Sequence, residues 1–220
     1  MRDIYHDELD AVGAVLLEMT NRVATAMSRA TQALLEADLS GAESVVTDDA
    51  QVDALRADLE SRTFLLMAQQ QPVAGDLRLL FTSLHVAADL ERMGDLALHI
   101  AKIARMRYPE VAVPGQVRDV IAQMGAVAQS LVAKVAEVID GRDVALAQAI
   151  EIEDDSMDAL RRKLFLILLS DSWTHGTETA IDMTLIGRYY ERYADHAVSV
   201  ARRFVFIVTG TMPARIAAIV

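Results

Sequence analysis

Glu91-Arg92-Met93-Gly94-Asp95 and Glu191-Arg192-Tyr193-Ala194-Asp195 are one five-residue pattern written twice, at an offset of 100 residues. Each copy sets two carboxylates at i and i+4, stacked on one face of a helix. Working outward, Leu55-Arg56 matches Leu160-Arg161, and Asp38-Leu39 matches Asp143-Val144, both at an offset of 105. The shortfall of five falls between the second and third helices of each half, in a loop, where length changes are best tolerated. The chain reads as one unit duplicated.

Helix signals divide each copy into three. A periodic stretch over residues 5–37 is followed by Asp38 as an N-cap for a second helix reaching Gln71. Gln71-Pro72 breaks that helix, and a third runs to Tyr108. Pro109-Glu110-Val111-Ala112-Val113-Pro114-Gly115, with two prolines and a glycine, is the linker. A fourth helix runs to Asp140 with Gly141 as its terminator. Asp143 caps a fifth reaching Ser172, and Thr177 caps a sixth reaching Thr209. The expected fold is all-α: two tandem three-helix bundles related by internal duplication. The expected division is 1–110 for the first bundle, 114–210 for the second and 211–220 for a tail.

Composition agrees. Apolar residues make up 53% of the 220, with Gly only 10 and Pro only 4, a profile that favours helices over sheets. No apolar run approaches the roughly 18 residues a bilayer requires. The N-terminus carries no signal-peptide pattern, so a cytoplasmic location is expected. With no cysteine, disulfides, thiolate metal sites and a Cys nucleophile are excluded. A net charge of −11 argues against nucleic-acid binding and suits a cationic ligand or partner.

Four acidic i, i+4 pairs fall at repeat-related places: Asp49/Asp53 and Glu91/Asp95, then Asp154/Asp158 and Glu191/Asp195. These eight residues are the candidate metal ligands. Like charges at this spacing repel, and a bound cation with hard oxygen ligands is the direct remedy. Any one pair alone reads as a solvated face, and Asp3/Asp7, Glu151/Asp155 and Glu178/Asp182 fit no repeat. Placement separates the four. Leu77, Leu80, Leu84, Ala87, Ala88 and Leu98 project near Glu91 and Asp95, so acid interrupts an apolar stripe, where unpaired charge is costly. Asp49 and Asp53 share a face with Val46, Ala57, Phe64 and Met67, and Glu60 there is a further ligand candidate.

The second half differs. Thr184 and Arg188 stand where the first has Leu84 and Ala88, and Arg161, Arg162 and Arg202 lie nearby. An internal ion-pair network competes with a metal there. His99, one turn past Asp95, is a possible extra ligand or an ordinary helix histidine, while His196 projects away from Glu191. Arg92 and Arg192 read first as intrabundle salt bridges, and the Met residues as core filler. Trp173 either anchors a partner or closes the bundle end.

These motifs, with the turn Gln71-Pro72-Val73-Ala74-Gly75-Asp76-Leu77-Arg78, resemble those of the PhoU family over residues 3–209. Nothing similar is seen for residues 210–220. The resemblance implies two three-helix bundles and a negative regulator of phosphate uptake and the phosphate-starvation response. It implies as partners the ATPase subunit of a phosphate ABC transporter and a PhoR-type sensor histidine kinase. It further implies a homodimer, reaching the membrane only through those partners, and Fe, Zn or Mg ions on the acidic motifs. Three departures stand out: Gln70 before Gln71-Pro72, Ala194 for Gly, and the Tyr189-Tyr190 pair.

No enzyme activity is expected. A di-iron bundle needs Glu-x-x-His pairs, and no Glu here has His three residues later. No glycine-rich phosphate loop is present either. The competing reading is a helical protein-interaction module, co-chaperone-like, without metal or phosphate role.

Overall fold

The computed structural model describes residues 2–141 and 143–211, with side chains from Tyr5 onward. Six helices follow one another: α1 (Arg2–Glu36), α2 (Leu39–Gln70), α3 (Ala74–Arg107), α4 (Gly115–Gly141), α5 (Val144–Leu168) and α6 (Gly176–Thr209). The first three pack on one another, as do the last three, which makes two tandem three-helix bundles. Of the expected tail, residues 212–220 lie outside the described residues. No described helix is long and apolar enough to cross a membrane.

Local chemistry sets the helix ends. The Asp38 carboxylate accepts from the Gly41 N–H at 3.0 Å, and Asp143 accepts from Ala145 and Leu146 at 2.8 and 3.1 Å. Each satisfies a donor that a helix start leaves open. Gln71 ends α2 in the left-handed region at φ 47°, and Pro72 behind it has no N–H to continue the helix.

Two ends differ from the sequence expectation. α5 stops at Leu168, short of Ser172, because the Ser170 hydroxyl donates to the Ile167 carbonyl at 2.8 Å and turns the chain early. α6 starts at Gly176, so Thr177 is already inside it, and His175 in the cap position makes no side-chain cap bond. Trp173 donates its indole N–H to the Gly176 carbonyl at 3.0 Å and so closes this turn.

The core follows helical spacing. Val12, Leu16, Met19, Val23 and Met27 of α1 are all fully buried, three or four residues apart. Each such side chain contributes about 1.5–3 kcal/mol by leaving water. Leu16→Ala would cost about 2–5 kcal/mol, the cavity included.

The bundles lie side by side, α3 against α6 and α1 against α4. α3 and α6 run antiparallel, since contacts that advance along one retreat along the other. At one end Arg107 grips Asp182 at 2.6 Å and Glu178 at 2.8 Å; at the other Arg78 donates to the Ile207 carbonyl at 3.1 Å. Between them Asp89 accepts from Ser199 and Arg203 and meets His196 Nδ1, each at 2.9 Å. Tyr190 and Tyr193 are fully buried; the first meets the Thr31 hydroxyl at 2.8 Å and the second donates to the Val23 carbonyl at 3.2 Å. These hydroxyls give the buried rings the polar partner they need across the seam.

Candidate metal centre

α2 and α3 are antiparallel neighbours joined by the turn at Gln71-Pro72, so the acidic pair of one faces the pair of the other. The effect is visible on Asp49. Burial, then the charges of Asp53 and Asp95, push its carboxyl above the usual range, with Lys102 opposing and Glu91 adding. Gly94 leaves room beside it: a Cβ there would stand 3.5 Å from Asp49 Oδ1. Asp49, Glu91 and Asp95 are half-buried, whereas Asp53 is exposed.

α5 and α6 repeat the arrangement. Burial, then Asp195 and Asp158, push Asp154 up to about 6, while Arg202 opposes. Asp154 and Glu191 are half-buried; Asp158 and Asp195 are exposed. Asp49, Asp53, Glu91 and Asp95 thus share one group, and Asp154, Asp158 and Asp195 the other, while Glu191 turns to Arg161 and Arg188. Among the described residues, though, no three His, Asp or Glu side chains converge closely enough to hold a metal ion as they stand.

Arginines pair with the acids of α3 and α6. Arg56 Nη1 lies 3.1 Å from Glu91 Oε2, and Arg161 Nη1 lies 3.3 Å from Glu191 Oε1, the same pair in both repeats. Arg92 and Arg192 likewise each reach their own Asp, Asp95 and Asp195, at 3.1 Å. Arg29 pairs with Asp48, next to Asp49, and Lys134 with Glu153, again repeat-equivalent. Arg161 is already expected from sequence to compete with a metal in the second half; its counterpart Arg56 in the first is the partner that reading the acids alone misses. The match of Leu55-Arg56 with Leu160-Arg161 was the available signal.

Other expected participants lie elsewhere. Glu60 pairs with Arg56 at 2.9 Å, and Phe64 on the same face is 71% exposed. His99 stacks on Tyr189 instead of turning to Asp95. His196 faces Asp89 of the other bundle.

The first group has the donor chemistry a hard cation takes, although its carboxylates are not gathered round one point. Its donors are carboxylate oxygens, and Glu91 Oε2 is buried with no aligned hydrogen bond despite the nearby guanidinium. The second does not fit one as it stands, because both oxygens of Glu191 lie on guanidinium groups, those of Arg161 and Arg188.

This fold, two three-helix bundles in one chain, is matched in known proteins. The PhoU domain model matches twice, over residues 16–104 and 121–204. The chain belongs to the PhoU family. It is 48% identical over 213 residues to the phosphate-specific transport system accessory protein PhoU homolog 2 of Mycobacterium tuberculosis, covering 97% of this chain and 100% of that one. With PhoU homolog 1 of the same organism the identity is 45%, over 97% of this chain and 96% of the relative. The crystal structure of PhoU from Pseudomonas aeruginosa superposes with a TM-score of 0.85 at 26% identity, covering 94% of this chain and all of that one. Two PhoU repeats in one chain are the duplication that the motif offsets predicted.

Proposed function

We propose that this protein is a cytoplasmic accessory regulator of a phosphate-specific transport system, and that it acts by binding and not by catalysis. In this reading it restrains phosphate uptake and the starvation response as an adaptor between the transporter's ATPase subunit and a PhoR-type sensor kinase. Family membership supports the setting. The observation that carries the two-sided role is a duplicated exposed apolar surface. Phe64 and Leu169 are 71% and 85% exposed at equivalent positions, and Phe81 and Ile181 are 53% and 55% exposed at another equivalent pair. Large apolar side chains left in water at matching places suit partner contacts. A homodimer would use such faces equally well.

The test is co-purification with the ATPase subunit and with the kinase cytoplasmic region at high phosphate. Wild type should retain both, and Phe64→Ser/Phe81→Ser should lose one of them while keeping its thermal stability. Retention of neither by wild type rejects the adaptor reading. Deletion of the gene should raise phosphate-starvation transcripts in phosphate-rich medium.

Asp49, Asp53, Glu91 and Asp95 would hold a hard cation such as Fe, Zn or Mg, which would neutralise the crowded carboxylates. Elemental analysis of wild type against Glu91→Ala/Asp95→Ala checks this; equal metal content in the two removes the site. The arginine pairing of the Glu91/Asp95 and Glu191/Asp195 motifs favours a second reading, an interaction module that works without metal. Metal-free wild type that still retains both partners would select it.

A further inference from the structure

We propose that the acidic group of the second bundle is closed by the chain's own arginines, with Arg188 as the residue that shuts out a metal, so that the protein has one cation site where its duplication would give two. The inference rests on the cation reading of the first bundle.

Repeat-by-repeat comparison carries it. Position 88 of α3 is Ala88, half-buried and unable to reach a carboxylate. Its equivalent in α6 is Arg188, one turn before Glu191, whose Oε2 it grips through Nη1. Arg161 holds the other oxygen at 3.3 Å. Glu91, by contrast, has both its guanidinium neighbours on Oε2, Arg56 at 3.1 Å and Arg92 at 3.8 Å, and neither on Oε1. A guanidinium on each carboxylate oxygen supplies the charge and the donors that a metal would otherwise supply.

The surroundings lean the same way. Lys102, the cation that faces Asp49, corresponds to Arg202, which faces Asp154 and also holds Glu151 at 2.7 Å. Gly94, beside Asp49, corresponds to Ala194, whose methyl takes up the space that glycine leaves open. The second acidic group thus carries one cationic side chain more than the first and has less room. The two neutralisations also differ in kind. A metal can be withdrawn by a chelator, whereas an arginine side chain stays charged at any physiological pH. One half would respond to metal supply, and the other would be permanently compensated.

The experiment is Mn²⁺ stoichiometry on the full chain by equilibrium dialysis, with calorimetry as a second measure. Expected are one Mn²⁺ for wild type, none for Glu91→Gln/Asp95→Asn, and two for Arg188→Ala or for Arg161→Ala/Arg188→Ala. Arg188 is half exposed, so its removal should leave the fold intact. Two Mn²⁺ on wild type, or no added ion on either arginine variant, overturns the closure. No ion on wild type with one on Arg188→Ala upholds the closure and rejects the first-bundle site. No ion on any chain rejects both.

Discussion

His99 stacks on Tyr189 across the seam between the bundles, ring centroids 5.2 Å apart and planes inclined by 21°. Exchanging each for its counterpart in the other repeat gives Ser199 and Asp89, which meet at 2.9 Å. One crossing point of an approximate two-fold arrangement is therefore aromatic and the other is ionic.

The ionic crossing should be the more expensive to break. Asp89→Ala would leave Arg203 and His196 half-buried without their carboxylate, at a cost of about 2 kcal/mol. Urea unfolding at neutral pH should show a lower midpoint with an unchanged slope. Burial works to raise the Asp89 pKa, but His196, Arg203 and Ser199 overcome it and hold the carboxyl below its usual 3.8. A depressed folded pKa stabilises the fold above the unfolded value, and that share is lost as pH falls through the folded one. Wild type and variant should therefore converge in acid.

Asp154 has the opposite sign. Its carboxyl is pushed up to about 6 in the fold, so between about 4 and 6 the folded chain binds the extra proton. Stability should fall as pH rises through that window and level off above it. Asp154→Asn should remove the slope and stabilise the metal-free chain at pH 7. The gain should be about 1 kcal/mol, discounted because the group is half in water. A thermal melt series from pH 4 to 8 reads this, and a variant no more stable than wild type at pH 7 refutes the strain.

Asp38→Ala and Asp143→Ala should each cost about 1 kcal/mol. They cap α2 and α5 in different bundles and share no partner, so the double variant should lose the sum. Chemical denaturation of the four chains checks the additivity.

Gly94→Ala is expected to be tolerated. The new methyl would meet Asp49 at 3.5 Å, Val23 at 3.7 Å and Val52 at 3.8 Å, all ordinary contacts. Removing a mid-helix glycine gains up to about 1 kcal/mol, and Ala194 already occupies the equivalent place. Mn²⁺ affinity should fall even as the melting temperature holds or rises, because the methyl narrows the space around Asp49.

Much of this was legible in the chain. Motif offsets and the Asp38 and Asp143 caps revealed six helices and their duplication, because both depend on residues close in sequence. Arg92 and Arg192 paired within their own motifs for the same reason. The seam was not legible. Periodicity says that Tyr190 and Tyr193 lie on faces of α6, but not that Thr31 and the Val23 carbonyl of another bundle will receive their hydroxyls. From sequence, His99 reads as a further metal ligand beside Asp95 or an ordinary helix histidine, because the acid one turn away is visible, whereas Tyr189 becomes its neighbour only through folding. The early stop of α5 turned on the Ser170 hydroxyl, a competitor for backbone bonds that apolar spacing does not register.

The segment from Pro109 to Pro114 has a further consequence. Had the two bundles remained separate molecules in a symmetric pair, every substitution would have appeared on both sides at once. Tied into one polypeptide, each side can mutate alone. Ala88 could become arginine at position 188 while its twin stayed small, and an aspartate could face a tyrosine's place across the axis. The linker thus lets the two halves differ where a symmetric pair of identical chains could not.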